Sequence, residues 1–146
     1  MKSLCLVSLV ALFSAGVNAQ STHTDIQNRF VGAWRLVSLE EAGADGHMHK
    51  ADCQGMFVFT ADGKASVQVM YRSAQNGGAY AQAGYEASYG SYSIDTPSTF
   101  TFHVDGALVR TTAGKDLKRR YEMISNRLIV TSTDPNERWK VVWERY

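Results

Sequence analysis

Cysteine is nearly absent from this chain, and its scarcity decides what holds the fold together. The 146 residues contain two cysteines, Cys5 and Cys53. Cys5 lies in an N-terminal apolar segment that we expect to be removed, so Cys53 is left without an intramolecular disulfide partner. We therefore expect one domain over residues 20–146 that is stabilised by its hydrophobic core. A chain of this length buries about two thirds of its unfolded surface, which is enough without disulfides.

No apolar run in the sequence is long enough to cross a membrane, which takes about 20 residues. The longest run, residues 4–13, follows Lys2 and precedes small residues that end at Ala19. This order is typical of a secretory signal peptide, here cleaved before Gln20. We expect residues 1–19 to be that signal and the mature protein to be secreted or periplasmic, without stable membrane insertion. A retained anchor is the less favoured alternative.

The mature chain has no excess of charge of either sign. Without Lys2 it carries 14 Lys and Arg residues and 14 Asp and Glu residues. Proteins that bind nucleic acid or anionic membranes are usually basic overall, so we expect no nucleic-acid partner. The sequence also lacks a glycine-rich phosphate loop, a nucleophile elbow and zinc-binding spacings. No cofactor and no metal site is predicted.

Short segments with alternating apolar and polar residues make up most of the chain, and turn residues separate them. Asp62-Gly63 is a strong hairpin signal. Eight segments predict an all-β fold, an antiparallel up-and-down barrel that closes around one small ligand. A short helical turn capped by Asp25, with Ile26 and Phe30 facing inward, precedes them. The predicted strands are residues 32–40, 55–60, 65–71, 87–94, 99–105, 117–124, 127–133 and 137–145.

Two segments do not fit this pattern. Residues 43–54 are predicted to be a polar loop. Residues 73–84 are rich in small residues and favour a loop, with a short helix around residues 79–83 as an alternative that the glycines weaken. Loops at one end of a barrel are where a lid or a specificity element would lie.

Residues 30–38, with Gly32-Ala33-Trp34 at their centre, resemble the first strand of the lipocalin and fatty-acid-binding-protein superfamily. The remaining matching segments follow in order along essentially the whole mature chain and are similar to the bacterial lipocalin-like domain family. That resemblance implies a lipocalin-like β-barrel but no single activity, because a fold does not supply a site. The family often has a histidine where Phe102 stands, which leaves His103 alone here. The matching segments are residues 62–68, 89–92, 102–104, 119–122, 126–128 and 143–145.

The resemblance also implies three structural residues at the closed end of the barrel. Gly32 and Trp34 form the Gly-x-Trp element, and a basic residue of the last strand covers the indole ring. Arg145 is the candidate for that residue, held by a cation–π contact of about 0.5–2 kcal/mol.

Arg119 and Tyr121 are the leading candidates for ligand contact, because alternation places them on one face of a strand. A guanidinium beside a phenol hydroxyl can hold a carboxylate. If Arg119 faces inward, the barrel must supply a partner from elsewhere, admit water or bind an anion. We then expect Arg119→Met to fold at least as well as the wild type. The simpler alternative is a solvated Arg119 and a core Tyr121.

The candidate ligand-binding set also includes Tyr89, Gln68 and Trp139. The expected partner is a small apolar or acidic ligand.

Histidines supply two further groups that residue type alone singles out. His47 and His49, near Asp52 and Cys53, are residues of metal-binding type, but their spacing favours a polar surface loop. His103 and Asp105 could act as a general base, yet alternation opposite Phe100 and Phe102 predicts that they face solvent. No catalytic residue is predicted.

Three hypotheses of function follow. The first is an exported, non-enzymatic binder of a small apolar or amphipathic molecule. The second is a cofactor-independent isomerase, cyclase or hydratase that works in the cavity. The third is an interaction or stress protein whose barrel its own side chains fill. A cavity would separate the third from the others, and grouped inward-facing titratable residues would favour the second over the first.

Overall fold

A computed structural model describes the backbone of residues 15–146, with side chains from His23 onward. Residues 1–14, which include most of the predicted signal peptide, lie outside this range. The described part contains one α-helix, nine strands and a short 3₁₀ turn. In chain order they are α1 (Ala15–Phe30), β1 (Gly32–Ala42), β2 (Met48–Lys50), β3 (Cys53–Phe59), β4 (Lys64–Tyr71), β5 (Tyr85–Thr96), β6 (Thr99–Ala107), the 3₁₀ turn (Arg110–Thr112), β7 (Asp116–Ile124), β8 (Arg127–Ser132) and β9 (Trp139–Arg145).

Eight of these strands form a closed antiparallel barrel, as predicted. Strands β3 to β9 pair in sequence, and β1 pairs with β3 on one side and β9 on the other. The remaining strand, β2, pairs only with the end of β1, through Glu40–Lys50, Glu41–His49 and Ala42–Met48. Residues 43–54 were predicted to be one loop. That prediction is wrong, because they contain β2 and the first residues of β3.

The helix differs from its prediction in length and in its start. Asp25 lies inside α1 and does not cap it, because the helix already runs from Ala15. The predicted inward pair is partly realised: Phe30 is fully buried, and Ile26 packs against the core. Phe30 thus closes one end of the barrel. No helix in the described part of the chain has both the length and the apolarity to cross a membrane.

Aromatic rings fill this closed end. The ring centre of Phe30 lies 4.8 Å from that of Tyr121, 5.2 Å from Phe59 and 5.3 Å from Phe100. Trp34 donates its indole N–H to the carbonyl of Phe30 at 2.8 Å, which joins the helix to the barrel. Most of the largest fully buried side chains, including Trp34, Phe30 and Phe59, therefore lie on the side where β1 begins.

A bulge in β1 reverses the alternation of its side chains. The pairing of β1 with β9 shifts between Leu36 and Ser38. Trp34 faces inward before the bulge, and Leu39 faces inward after it. Because a one-residue shift moves every later side chain to the other face, Glu41 also faces the interior.

Candidate functional site

A cavity of about 350 Å³ occupies the end of the barrel away from Phe30. Its deeper wall is apolar and its mouth is polar. Ligand sites in proteins begin at about 300 Å³ and combine an apolar lining with a few polar groups, so this cavity has the size and character of one. The apolar wall is formed by Leu39, Phe57, Val67, Val69, Phe100, Phe102, Leu117, Val130, Val141 and Trp143.

Arg119, from β7, lies at one side of the mouth and is buried, with 8% of its surface exposed. It forms a salt bridge of 3.3 Å with Glu137 and donates to the Tyr80 hydroxyl at 2.9 Å. Its guanidinium also lies 4.9 Å from the centre of the Trp139 ring. Arg119 therefore faces inward as a paired cation. The sequence left three possibilities for an inward arginine, namely a protein partner, water or a bound anion, and the structure shows a protein partner.

Glu137 is held by three donors in this cluster. Tyr80 donates to it at 2.6 Å and Ser132 at 2.8 Å, in addition to Arg119. Burial raises its pKa, but the hydrogen bonds from Tyr80 and Ser132 and the charge of Arg119 outweigh that effect and leave the pKa below its usual value. Glu137 therefore stays ionised at neutral pH, and the pair is neutral overall.

The other predicted ligand-binding residues are scattered. Tyr121 shares the inward face of β7 with Arg119, but it belongs to the closed end, where its hydroxyl donates to the carbonyl of Thr96. Gln68 and Tyr89 lie on the outer face of the barrel, and 61% of Tyr89 is exposed. Trp139 does line the cavity. The structure therefore brings together Arg119 and Trp139 and places Tyr121, Tyr89 and Gln68 outside the cavity.

Two further carboxyl groups line the cavity, Glu41 of β1 and Glu86 of β5. Glu41 accepts a hydrogen bond of 3.0 Å from the Tyr71 hydroxyl. The side chain of Glu86 makes no hydrogen bond and no salt bridge with any residue whose side chain is described. Burial raises its pKa to about 7. The charge of Arg119 opposes this rise, and the smaller effect of Glu41 adds to it. Glu86 is thus a cavity carboxyl that changes charge near neutral pH.

One hydrogen-bond donor at the mouth is also free. The indole N–H of Trp139 is buried and has no partner within the described residues. It lies near enough to Glu137 to help lower the pKa of that carboxyl, but not in hydrogen-bond geometry. Buried donors are normally satisfied, so this N–H is available to a water or a ligand.

Cys53 faces the barrel interior close to Glu41 and Glu86, and it pairs with Tyr71 in the sheet register. Burial, and then the charges of Glu41, Asp52 and Glu86, raise the pKa of its thiol to about 11. It is a free cysteine in the structure. A thiol with this pKa remains protonated at neutral pH, so it has little nucleophilic character.

The loop of residues 73–84 covers part of the mouth. Gly77, Gly78, Ala79 and Tyr80 all line the cavity, and Tyr80 joins the loop to Arg119 and Glu137. A Cβ atom at Gly78 would lie 2.7 Å from the Glu41 carboxylate, so glycine allows the loop to approach that strand. The short helix considered for residues 79–83 does not form, since these residues are in turns and an isolated bridge.

The three structural residues meet at the closed end. The guanidinium of Arg145 lies 4.4 Å from the centre of the Trp34 ring and donates to the carbonyls of Val31 and Arg29. Gly32 has φ of +131°, and a Cβ atom there would lie 2.7 Å from the arginine nitrogen. The Gly-x-Trp element therefore includes glycine because Arg145 passes directly over it.

The histidines lie outside the cavity. His49 bonds to Asp45 at 2.9 Å and is exposed, and within the described residues no group of three metal-ligating side chains occurs. His103 does not pair with Asp105: its Nδ1 contacts Asp116 at 2.7 Å and its Nε2 contacts Ser93 at 3.0 Å. This order matches a catalytic triad, but none of the three residues lines the cavity.

Sequence reasoning missed the three carboxyl groups Glu41, Glu86 and Glu137. A usable signal existed for Glu137, which alternates in phase with Trp139 and the inward face of β9. Glu86 likewise precedes Ser88 and Tyr92 at even spacing. Glu41 gave no such signal, because only the bulge in β1 turns it inward.

A closed eight-stranded antiparallel barrel, with Gly-x-Trp under an arginine at one end and a cavity at the other, is a lipocalin-type barrel. The model of the lipocalin-like domain family matches residues 31–146, so the chain belongs to that family. No curated protein matches the sequence. Among solved structures, a redesigned beta barrel is similar, with 12% identity and a TM-score of 0.47 over 82% of this chain and 94% of that chain.

Proposed function

We propose that this protein binds a small, partly apolar molecule in the barrel cavity and acts as a carrier or binding protein. The observation that carries the proposal is the cavity itself, about 350 Å³ with an apolar wall and a polar mouth. Membership of the lipocalin-like domain family supports small-molecule binding in general. The free indole N–H of Trp139 supplies a donor for an oxygen of the ligand.

The third hypothesis, a barrel filled by its own side chains, describes only half of the molecule. The rings of Phe30, Phe59, Phe100 and Tyr121 fill the closed end. At the other end the chain places small or branched residues such as Val67 and Ser88, and a cavity remains between them. The cavity therefore favours the binding hypotheses over a filled barrel.

The expectation of an acidic ligand started from an arginine without a protein partner. Arg119 has Glu137 as that partner, so its charge creates no demand for an anion. The apolar part of the expectation keeps its support from the cavity wall.

The binding function is tested by filling the cavity. Val69→Trp adds a large side chain on the inward face of β4, whereas Met70→Trp adds the same side chain to the exposed face of the next residue. A neutral fluorescent probe such as N-phenyl-1-naphthylamine should bind the wild type and Met70→Trp with equal affinity and should lose at least tenfold in Val69→Trp. Equal binding to all three proteins, with all three folded, would place the probe elsewhere and contradict the proposal.

A second candidate function is cofactor-independent proton transfer, as in an isomerase. The specific observation is the grouping of inward titratable residues, with Glu86 at a pKa of about 7 near Tyr71 and Arg119. A general base is most effective when its pKa is near the working pH. Solvent deuterium exchange into a cyclic ketone such as 1-indanone tests this role by NMR. Catalysis by the wild type that Glu86→Gln abolishes would favour it, and no catalysis by either protein would oppose it.

Export is a further part of the proposal, and the order of residues 1–19 supports it: Lys2, an apolar run and small residues before Gln20. N-terminal sequencing of protein from the periplasm or medium should begin at Gln20. Full-length functional protein in the cytosol would contradict export.

A further inference from the structure

Among the carboxyl groups that line the cavity, Glu86 is the one whose side chain forms no hydrogen bond and no salt bridge within the described residues. Its neighbours are Glu41 on β1, Tyr71 on β4 and Arg119 on β7, as the causes that shift these groups show. Tyr71 gives its hydrogen bond to Glu41, and Arg119 gives its bonds to Glu137, Tyr80 and Ser132. The hydrogen bonds that Tyr71 and Arg119 donate thus go to groups other than Glu86.

The charges at the mouth do not balance. Arg119 and Glu137 neutralise one another, and the second arginine of the lining, Arg138, is exposed and donates to the carbonyl of Gly46. Glu41 and Glu86 remain as two carboxyl groups inside one cavity, and neither forms a salt bridge with a residue whose side chain is described. A nearby like charge disfavours the ionised form of Glu86, and a bound cation would compensate it.

Part of the surface of Glu86 is accessible, but protein atoms surround its carboxyl group closely, and this burial is the main cause of its raised pKa. We infer that the accessible part faces the cavity that Glu86 lines. The carboxyl group is then enclosed by protein and directed at the space that a ligand would fill. A charged hydrogen bond formed there is shielded from bulk water.

We propose that the cavity selects an amphipathic amine, whose ammonium group binds Glu86 and Glu41 at the mouth and whose apolar body packs against Val67, Phe102 and Trp143. This inference rests on the proposed binding function and names the ligand class of the same site. The ammonium group supplies the donors that Glu86 lacks and compensates the second carboxylate. It also fits the order of the lining, which is acidic at the mouth and apolar below.

Three ligands with one apolar body and different head groups test the proposal: 4-tert-butylbenzylamine, 4-tert-butylbenzyl alcohol and 4-tert-butylbenzoate. Their affinities are measured by isothermal titration with the full mature chain at pH 8 and pH 5.5. At pH 8 the amine should bind roughly 10- to 100-fold more tightly than the alcohol, the range expected for a hydrogen bond to a charged group. The benzoate should bind more weakly than the alcohol. At pH 5.5, where Glu86 is protonated, the advantage of the amine should shrink at least severalfold, although the amine remains a cation.

The variant Glu86→Gln keeps the shape of the side chain and removes its charge. It should lower the affinity for the amine at pH 8 by roughly tenfold or more and leave the alcohol within twofold. Glu122→Gln is the matched control, because Glu122 lies exposed on the outer face of β7 and its loss changes the net charge equally. Thermal melts establish that both variants are folded.

The outcomes separate this inference from the proposed function. If the alcohol binds but the amine is no tighter, or if Glu86→Gln behaves as Glu122→Gln does, the amine selectivity is wrong and the binding function stands. If none of the three ligands binds the wild type at millimolar concentration, the binding function fails and this inference fails with it.

Discussion

The raised pKa of Glu86 means that this carboxyl group lowers the stability of the folded protein when it is ionised. Its pKa is about 7 in the folded protein, against 4.5 for an unperturbed glutamate. The folded state therefore binds a proton that the unfolded state releases between these two values. The stabilisation from that proton is complete below pH 4.5 and is lost as the pH rises through 7.

A pH series of urea denaturation measures this loss. The free energy of unfolding of the wild type should fall by about 1–3 kcal/mol between pH 5 and pH 8, since one pKa unit corresponds to about 1.4 kcal/mol. Glu86→Gln should remove the fall, whereas the exposed control Glu122→Gln should retain it. A fall of the same size in Glu86→Gln would mean that another group is responsible.

Arg119 and Glu137 form a pair whose members stabilise one another. The sequence alone suggested that Arg119→Met would fold at least as well as the wild type, because no carboxylate was in view. The structure reverses that expectation, since the substitution leaves Glu137 partly buried without its cation. We expect Arg119→Met to lower the free energy of unfolding by about 1–3 kcal/mol, less than for a fully buried pair because Glu137 is accessible at the mouth.

A double variant separates the lost pair from lost packing. Arg119→Met with Glu137→Gln removes both charges, so it should recover most of the stability that the single variant loses. Chemical denaturation at pH 7 gives all the values. A double variant no more stable than Arg119→Met would show that the packing of Arg119 against Trp139 matters, and not the charge pair.

At the scale of elements, the start of β1 depends on one close approach. Gly32 has a positive φ, and the position that a Cβ atom would occupy there lies against Arg145, which covers Trp34. Gly32→Ala must therefore accept an unfavourable backbone conformation and displace Arg145. We expect a loss of about 2–4 kcal/mol, from both effects together.

Gly46→Ala is a control with a positive φ but without a close contact. Gly46 also has a positive φ, of +77°, but a Cβ atom there would meet nothing within 4 Å. This variant should lose only about 1 kcal/mol, the conformational part alone. Equal losses in thermal or urea denaturation would show that the contact with Arg145 adds nothing.

Strand order and barrel closure could be predicted from the sequence because alternation and turn residues are local signals. Asp62-Gly63 indicated the hairpin between β3 and β4. The bulge after Leu36 was not predictable in this way, since it depends on how β1 pairs with β9. Arg119 and Trp139 were predicted as site residues, but their polar partners were not. Tyr80, Glu137 and Arg119 come from three parts of the chain that only the folded barrel joins.

At the scale of the whole molecule, the barrel has two halves with different roles. The half around Phe30 and Trp34 is packed with aromatic rings and supplies much of the hydrophobic core. The half around Arg119 and Glu86 keeps a cavity and places unbalanced charge in it. The packed closed end allows the open end to keep Glu86, a carboxyl group that lowers stability when it is ionised.

Methyl-detected NMR with a neutral ligand tests the binding function most directly, because the valines report from both sides of the barrel wall. Val67, Val69, Val130 and Val141 line the cavity, whereas Val37 is exposed outside it. Titration with 4-tert-butylbenzyl alcohol should shift the first four methyl signals in a saturable manner and leave Val37 unchanged. Saturable shifts confined to outward-facing residues, or no saturable shift at all, would contradict a ligand site inside this barrel.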